Sequence, residues 1–62
     1  MCEANAYITD NDKEELLLSE VAHIIPVGNK FELVTIMGEK LEVDADIKEI
    51  NLLRHKVIFS KR

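Results

Sequence analysis

Cys2 is the only cysteine of this chain and stands directly behind Met1. Aminopeptidase trimming favours a small second residue, so Met1 is a candidate for removal. Cys2 would then carry a free α-amino group and a thiol on adjacent carbons. These two donors close a five-membered chelate ring on a metal, and the amide nitrogen of Glu3 can close a second. The reference pKa is about 8 for an α-amino group and about 8.5 for a thiol. A bound thiophilic cation lowers both, so the donors can deprotonate near neutral pH. Such an N,S set suits square-planar nickel(II) or copper(II) better than the tetrahedral preference of zinc. A lone cysteine near a terminus also serves as an inert small residue, and position alone leaves that reading open.

The other reactive residue types form no catalytic constellation, and the expectation is that the protein is not an enzyme. Ser19 and Ser60 sit in no glycine-flanked elbow, and no phosphate-binding loop, dinucleotide fingerprint or CxxC pair occurs. His23 lies inside an apolar stretch, where a core or interface imidazole is the default reading. His55 stands between Arg54 and Lys56, which favours a solvated turn. The carboxylate pairs Asp10/Asp12 and Asp44/Asp46 could face a hard cation. Neither has the glycine and closing glutamate of a calcium loop, so turn polarity accounts for them. Met37 precedes a turn glycine and reads as packing. Tyr7 could stack a base, but a lone aromatic without adjacent cations is a weak nucleic-acid signal.

At 62 residues the chain is one domain, residues 1–62, with room for one small core. Ordering it costs about 1.5 kcal/mol per residue, which nearly cancels what its apolar burial returns. Chains this short gain margin from disulfides, a metal or oligomerisation. One cysteine excludes an internal disulfide, and 47% apolar residues argue against disorder. Oligomerisation is therefore the favoured support. The ligand set leads the same way. One chain offers two or three soft donors at Cys2, and a two-fold dimer with its N-termini together would offer four.

Eight Lys and Arg against twelve Asp and Glu give a net charge of −4. Nucleic-acid domains tend to be basic, with clustered cations on phosphates. Here only Arg54-His55-Lys56 and Lys61-Arg62 bring cations close together, so RNA is disfavoured as a partner. The opening residues show no basic and apolar leader pattern, and no apolar run reaches the ~18 residues of a membrane helix. A single reduced thiol fits the cytosol. The expected location is cytoplasmic, with no membrane partner.

The elements that must position these residues have the periodicity of strands. In Cys2–Thr9, Cys2, Ala4, Ala6 and Ile8 share one face, and Glu3, Asn5, Tyr7 and Thr9 the other. Asp10-Asn11-Asp12-Lys13 is a polar turn. Glu15–Ser19 carries three successive leucines, so it is buried on both faces or bent at a barrel corner. Val21–Pro26 is a second apolar strand, which Pro26 stops or marks as an edge. Val27-Gly28-Asn29-Lys30 reads as a two-residue hairpin, Phe31–Met37 as a strand, and Met37-Gly38-Glu39-Lys40 as a second hairpin with glycine first. Lys40–Asp44 alternates, with Leu41 and Val43 inward. Ile47–Leu52 reads as a strand, although Ile47 and Ile50 could also line a helical turn. Leu53-Arg54-His55 turns into Lys56–Ser60, where Val57 and Phe59 face one way. The expected fold is all-β: a small antiparallel barrel or rolled sheet of about six to seven short strands.

The Met1-Cys2-Glu3-Ala4 start, the chain length and the alternating strands running to Lys56-Val57-Ile58-Phe59 resemble the CooT family. Those proteins are small nickel-binding accessory proteins linked to maturation of the nickel–iron–sulfur carbon monoxide dehydrogenase. The likeness runs over essentially the whole chain, and its specific part is the Met-Cys-x-Ala start. It implies a homodimer of small β-barrels that binds one nickel(II) per dimer through the N-terminal cysteine, here Cys2. It also implies a nickel enzyme or its maturation proteins as further partners. The family also carries a predicted RNA-binding label. The alternative function is accordingly an RNA-binding barrel using Arg54, Lys56, Lys61 and Arg62.

Overall fold

The computed structural model describes residues 3–62. Cys2, the first of the two expected metal residues, lies outside them. The described chain forms six strands: β1 (Ala4–Asp10), β2 (Lys13–Val27), β3 (Lys30–Thr35), β4 (Lys40–Val43), β5 (Ala45–Asn51) and β6 (Lys56–Lys61). They make one sheet in the order β4-β3-β2-β1-β6-β5. The sheet curls into a half-barrel, as the alternation of apolar and polar residues predicts. Four of its ladders are antiparallel, and β1 pairs with β6 in parallel, with Ala6 beside Val57 and Ile8 beside Phe59. That parallel pair is where the molecule departs from a simple antiparallel meander.

The turns explain the register. Asp10 pairs with Lys13 across Asn11 and Asp12, which take φ of 51° and 69°. Two successive left-handed residues make a type I′ hairpin turn, and Asn and Asp are the non-glycine residues that tolerate it. In the β2–β3 hairpin only Gly28 has positive φ, at 61°, which fits a II′ turn with glycine first. The β3–β4 connection differs from the expected two-residue hairpin. Gly38 closes a turn from Thr35, donating its amide to the Thr35 carbonyl at 2.9 Å. The buried Thr35 hydroxyl accepts from the amides of Met37 and Glu39 at 3.3 and 3.0 Å.

Residues 13–27, expected as two strands, form one strand bent by bulges. The β1–β2 register slips between Ala6/Leu18 and Tyr7/Leu16, leaving Leu17 as the extra residue. The bulge turns both Leu17 and Leu18 toward the core and leaves Leu16 exposed. A second irregularity follows Glu20, whose φ is 58°. Beyond Val21, β2 leaves β1 and pairs only with β3. Pro26 falls in that segment, where a missing N–H costs no ladder bond on the open side.

The core is small and continuous. Ala6, Val21, Leu33, Val43, Ala45, Val57 and Phe59 are buried, and Ala4, Ile8, Leu17, Leu18, Ile24, Phe31 and Leu41 pack on them. Phe59 is fully buried and meets Phe31 with ring centroids 5.7 Å apart at 52°, a tilted geometry that aromatic quadrupoles favour. The ambiguous segment 45–51 is a strand. It is held to β6 by Ala45↔Lys61, Ile47↔Phe59 and Asn51↔Lys56.

Candidate metal centre

The chain enters β1 at Glu3, which is half-buried. Ala4 pairs with Val21 of β2, and the Asn5 amide donates to the His55 carbonyl at 2.8 Å. The start of β1 is thus pinned between β2 and the β5–β6 turn, Leu52–His55. Two further bonds shape that turn. The Asn51 carboxamide oxygen accepts from the Arg54 amide at 3.1 Å, and the His55 amide reaches the Leu52 carbonyl at 3.4 Å. His55 takes φ of 54°, which reverses the chain into β6.

A cavity of about 230 Å³ opens between these two segments, lined by Glu3, Ala4, Leu52, His55, Lys56 and Val57. Its lining is mostly apolar. Beside it the turn presents Leu52 at 80% and Leu53 at 94% exposure, with Ile50 of β5 also exposed. These two adjacent leucines form an exposed apolar patch on one turn.

Of the expected ligands, Glu3 is at this cavity. His55 was assigned to solvent from its charged neighbours, and it is exposed; yet it also lines the same cavity as Glu3. Sequence reasoning missed that neighbourhood because residues 3 and 55 meet only through the parallel pairing of β1 and β6. His23 is exposed, opposite Val34 on β3, so the core reading of that imidazole does not hold. The register irregularity after Val21 turns it out of the core. Among the described residues no three His, Cys, Asp or Glu side chains converge to hold a metal.

The cations expected for an RNA-binding face are mostly paired. Lys56 Nζ lies 2.9 Å from Glu14 and 4.7 Å above the Tyr7 ring. A cation therefore does adjoin Tyr7, and it occupies the ring face that a base would need. Lys61 pairs with Asp10 at 3.6 Å, and Arg62 with Asp44 and Asp46. A smaller hollow of about 150 Å³ at the far end of β1 mixes Asp10, Lys13, Glu15 and Lys61 and favours neither sign of charge. No helix of the described residues is long and apolar enough to cross a membrane.

Comparison with known proteins agrees with this geometry. A family model described as CO dehydrogenase accessory protein CooT matches residues 1–60. A crystal structure assigned to CooT from Carboxydothermus hydrogenoformans superposes with a TM-score of 0.92 at 36% identity, covering 98% of each chain. Among curated proteins none matches the chain. With a family match over nearly its full length and the same curled sheet in that crystal structure, the chain belongs to the CooT family of CO dehydrogenase accessory proteins.

Proposed function

We propose that this protein carries nickel(II) as cargo, as a metallochaperone or nickel store serving maturation of a nickel enzyme such as carbon monoxide dehydrogenase. It acts in the cytoplasm and turns over no substrate of its own. The metal is held by the Cys2 thiolate and α-amine with the Glu3 amide nitrogen. Two chains meet in a homodimer, which brings the two donor sets together. Family membership in an accessory class, joined to the thiol directly behind Met1, is the observation that carries this reading.

The surroundings of Glu3 support it. The mostly apolar cavity lining beside Glu3 would lower the local dielectric around an ion held there. The exposed Leu52, Leu53 and Ile50 supply an apolar surface near the same point, and covering it with a second copy would place both N-termini at one interface. The donor set by itself suits copper(II) as well, and nickel is the cargo that the resemblance to CooT proteins implies.

The test uses untagged protein. A thiolate–nickel charge-transfer band is expected, with about one nickel per two chains in native mass spectrometry. Binding should fade as pH drops well below neutrality, because the donors must be deprotonated. Cys2→Ser should abolish it. An N-terminal tag, which converts the amine to an amide, should weaken it sharply. Nickel binding that survives Cys2→Ser would overturn the reading. RNA affinity that falls steeply with salt and ignores Cys2→Ser would favour the RNA-binding alternative.

A further inference from the structure

The two ends of the curled sheet, β4 and β5, are not hydrogen-bonded to each other. The chain joins them through the single residue Asp44, and β3 touches β5 across the gap. One side chain bridges this seam. Arg62 follows β6, and its Nε donates to Asp46 Oδ1 at 3.1 Å. Nη1 donates to Asp44 Oδ1, and Nη2 donates to the carbonyls of Ala45, at 3.3 Å, and Asn29. Asp44, Ala45 and Asp46 form the β4–β5 corner, and Asn29 of the β2–β3 hairpin sits beside it because Phe31 pairs with Val43, whereas Arg62 comes from β6 on the other arm of the sheet. The acidic pair that the sequence leaves as turn polarity or a hard-cation site thus faces an internal cation.

We propose that Arg62 is a strap across this seam, which ties the end of β6 to the β4–β5 corner and the adjoining β2–β3 hairpin and keeps the half-barrel curled. Each ion pair taken alone is weak, since the side chains of Arg62, Asp44 and Asp46 are 38%, 61% and 70% exposed. What sets the group apart is one rigid, planar fork with four acceptors around it, drawn from the corner and the hairpin. Guanidinium geometry can meet such a set, and a lysine ammonium on a flexible stem cannot. The strap also acts on the proposed interface. β5 starts at the strapped corner and leads through Ile47 and Ile50 to the exposed Leu52–Leu53 turn.

Amide hydrogen exchange on the untagged full chain tests this without reference to nickel. Arg62→Ala should speed exchange about five- to tenfold at residues 28–31 and 43–47, while β1 and the centre of β6 keep their protection. Arg62→Lys should fail to restore it. The gap between wild type and Arg62→Ala should shrink in 1 M salt, where the screening length falls to about 3 Å. The Asp44→Asn/Asp46→Asn pair should speed exchange at residues 43–47, and adding Arg62→Ala to it should extend the effect to residues 28–31, where the Asn29 carbonyl loses its donor. Should Arg62→Ala not fold, the asparagine pair still gives the comparison at residues 43–47 against wild type. Unchanged exchange at residues 28–31, full rescue by lysine, or uniform acceleration over the whole sheet would each overturn the strap.

Discussion

Val57 and Phe59 on β6 and Leu52 and Leu53 in the turn just before it are apolar residues only a few positions apart. Their fates are opposite. Phe59 is fully buried against Phe31 and the β1 backbone, whereas Leu53 is 94% exposed. Hydrophobicity is nearly the same in both places, so it does not decide where a side chain ends up. Position in the curled sheet does: β6 lies between β1 and β5, and the turn projects past the sheet edge. The buried region builds the fold. The exposed one lies outside the core and adds nothing to it.

Substitutions can break or sharpen that contrast, and the largest effect falls in the core. Phe59→Ala leaves a cavity at the meeting point of β1, β5 and β6 and should cost about 3–5 kcal/mol. In a domain this small that approaches total stability, so urea denaturation should show an unfolded or barely folded chain. A loss under 1 kcal/mol would mean that Phe59 is not the keystone of the core.

Thr35→Val keeps the shape of a buried side chain but strips the acceptor from two turn amides. The expected loss is about 1–3 kcal/mol, seen as a lower denaturant midpoint at unchanged slope. It separates packing from turn chemistry, because Val fills the same space.

At the turn the prediction reverses. Leu52→Ser/Leu53→Ser should shift monomer stability by no more than about 0.5 kcal/mol, as for surface positions generally. It should raise the dimer dissociation constant at least tenfold in analytical ultracentrifugation. A stable dimer surviving this double change would move the interface elsewhere and leave the exposed leucines unexplained. The smallest effect on stability should come from Cys2→Ser, with a denaturant midpoint indistinguishable from wild type even as nickel binding disappears. A marked destabilisation there would assign Cys2 to the fold instead of the cargo site.

Much of the fold was legible because strand periodicity and turn chemistry are local. Gly28 at the first position of a two-residue loop, Asn11-Asp12 between polar flanks, and the alternation of Leu41 and Val43 each depend on neighbours one or two residues away. The triple leucine announced a distortion, but a run of apolar residues cannot say which one bulges. Leu17 did, and two expected strands became one. Gly38 was read one way and used another, since Thr35 captures two turn amides through its hydroxyl and lengthens the loop. The outward turn of His23 was hidden for the same reason: a one-residue slip exchanges the two faces of a strand.

The candidate site divides in the same manner. Sequence alone determined that the one cysteine, Cys2, stands directly behind Met1 and before Glu3, and that the domain is too small to be generously stable. Those conclusions depend on residue types, spacing and length. Tertiary structure decided that His55, Leu52 and Val57 share a cavity with Glu3 and Ala4, that Lys56 and Arg62 already have carboxylate partners, and that Leu52 and Leu53 stand in solvent. Each of these depends on β1 lying parallel to β6 or on the sheet curling back on itself. Such pairings join residues some fifty positions apart, and no local pattern encodes them. The energy that selects them comes from closing one core around Ala6, Leu33 and Phe59.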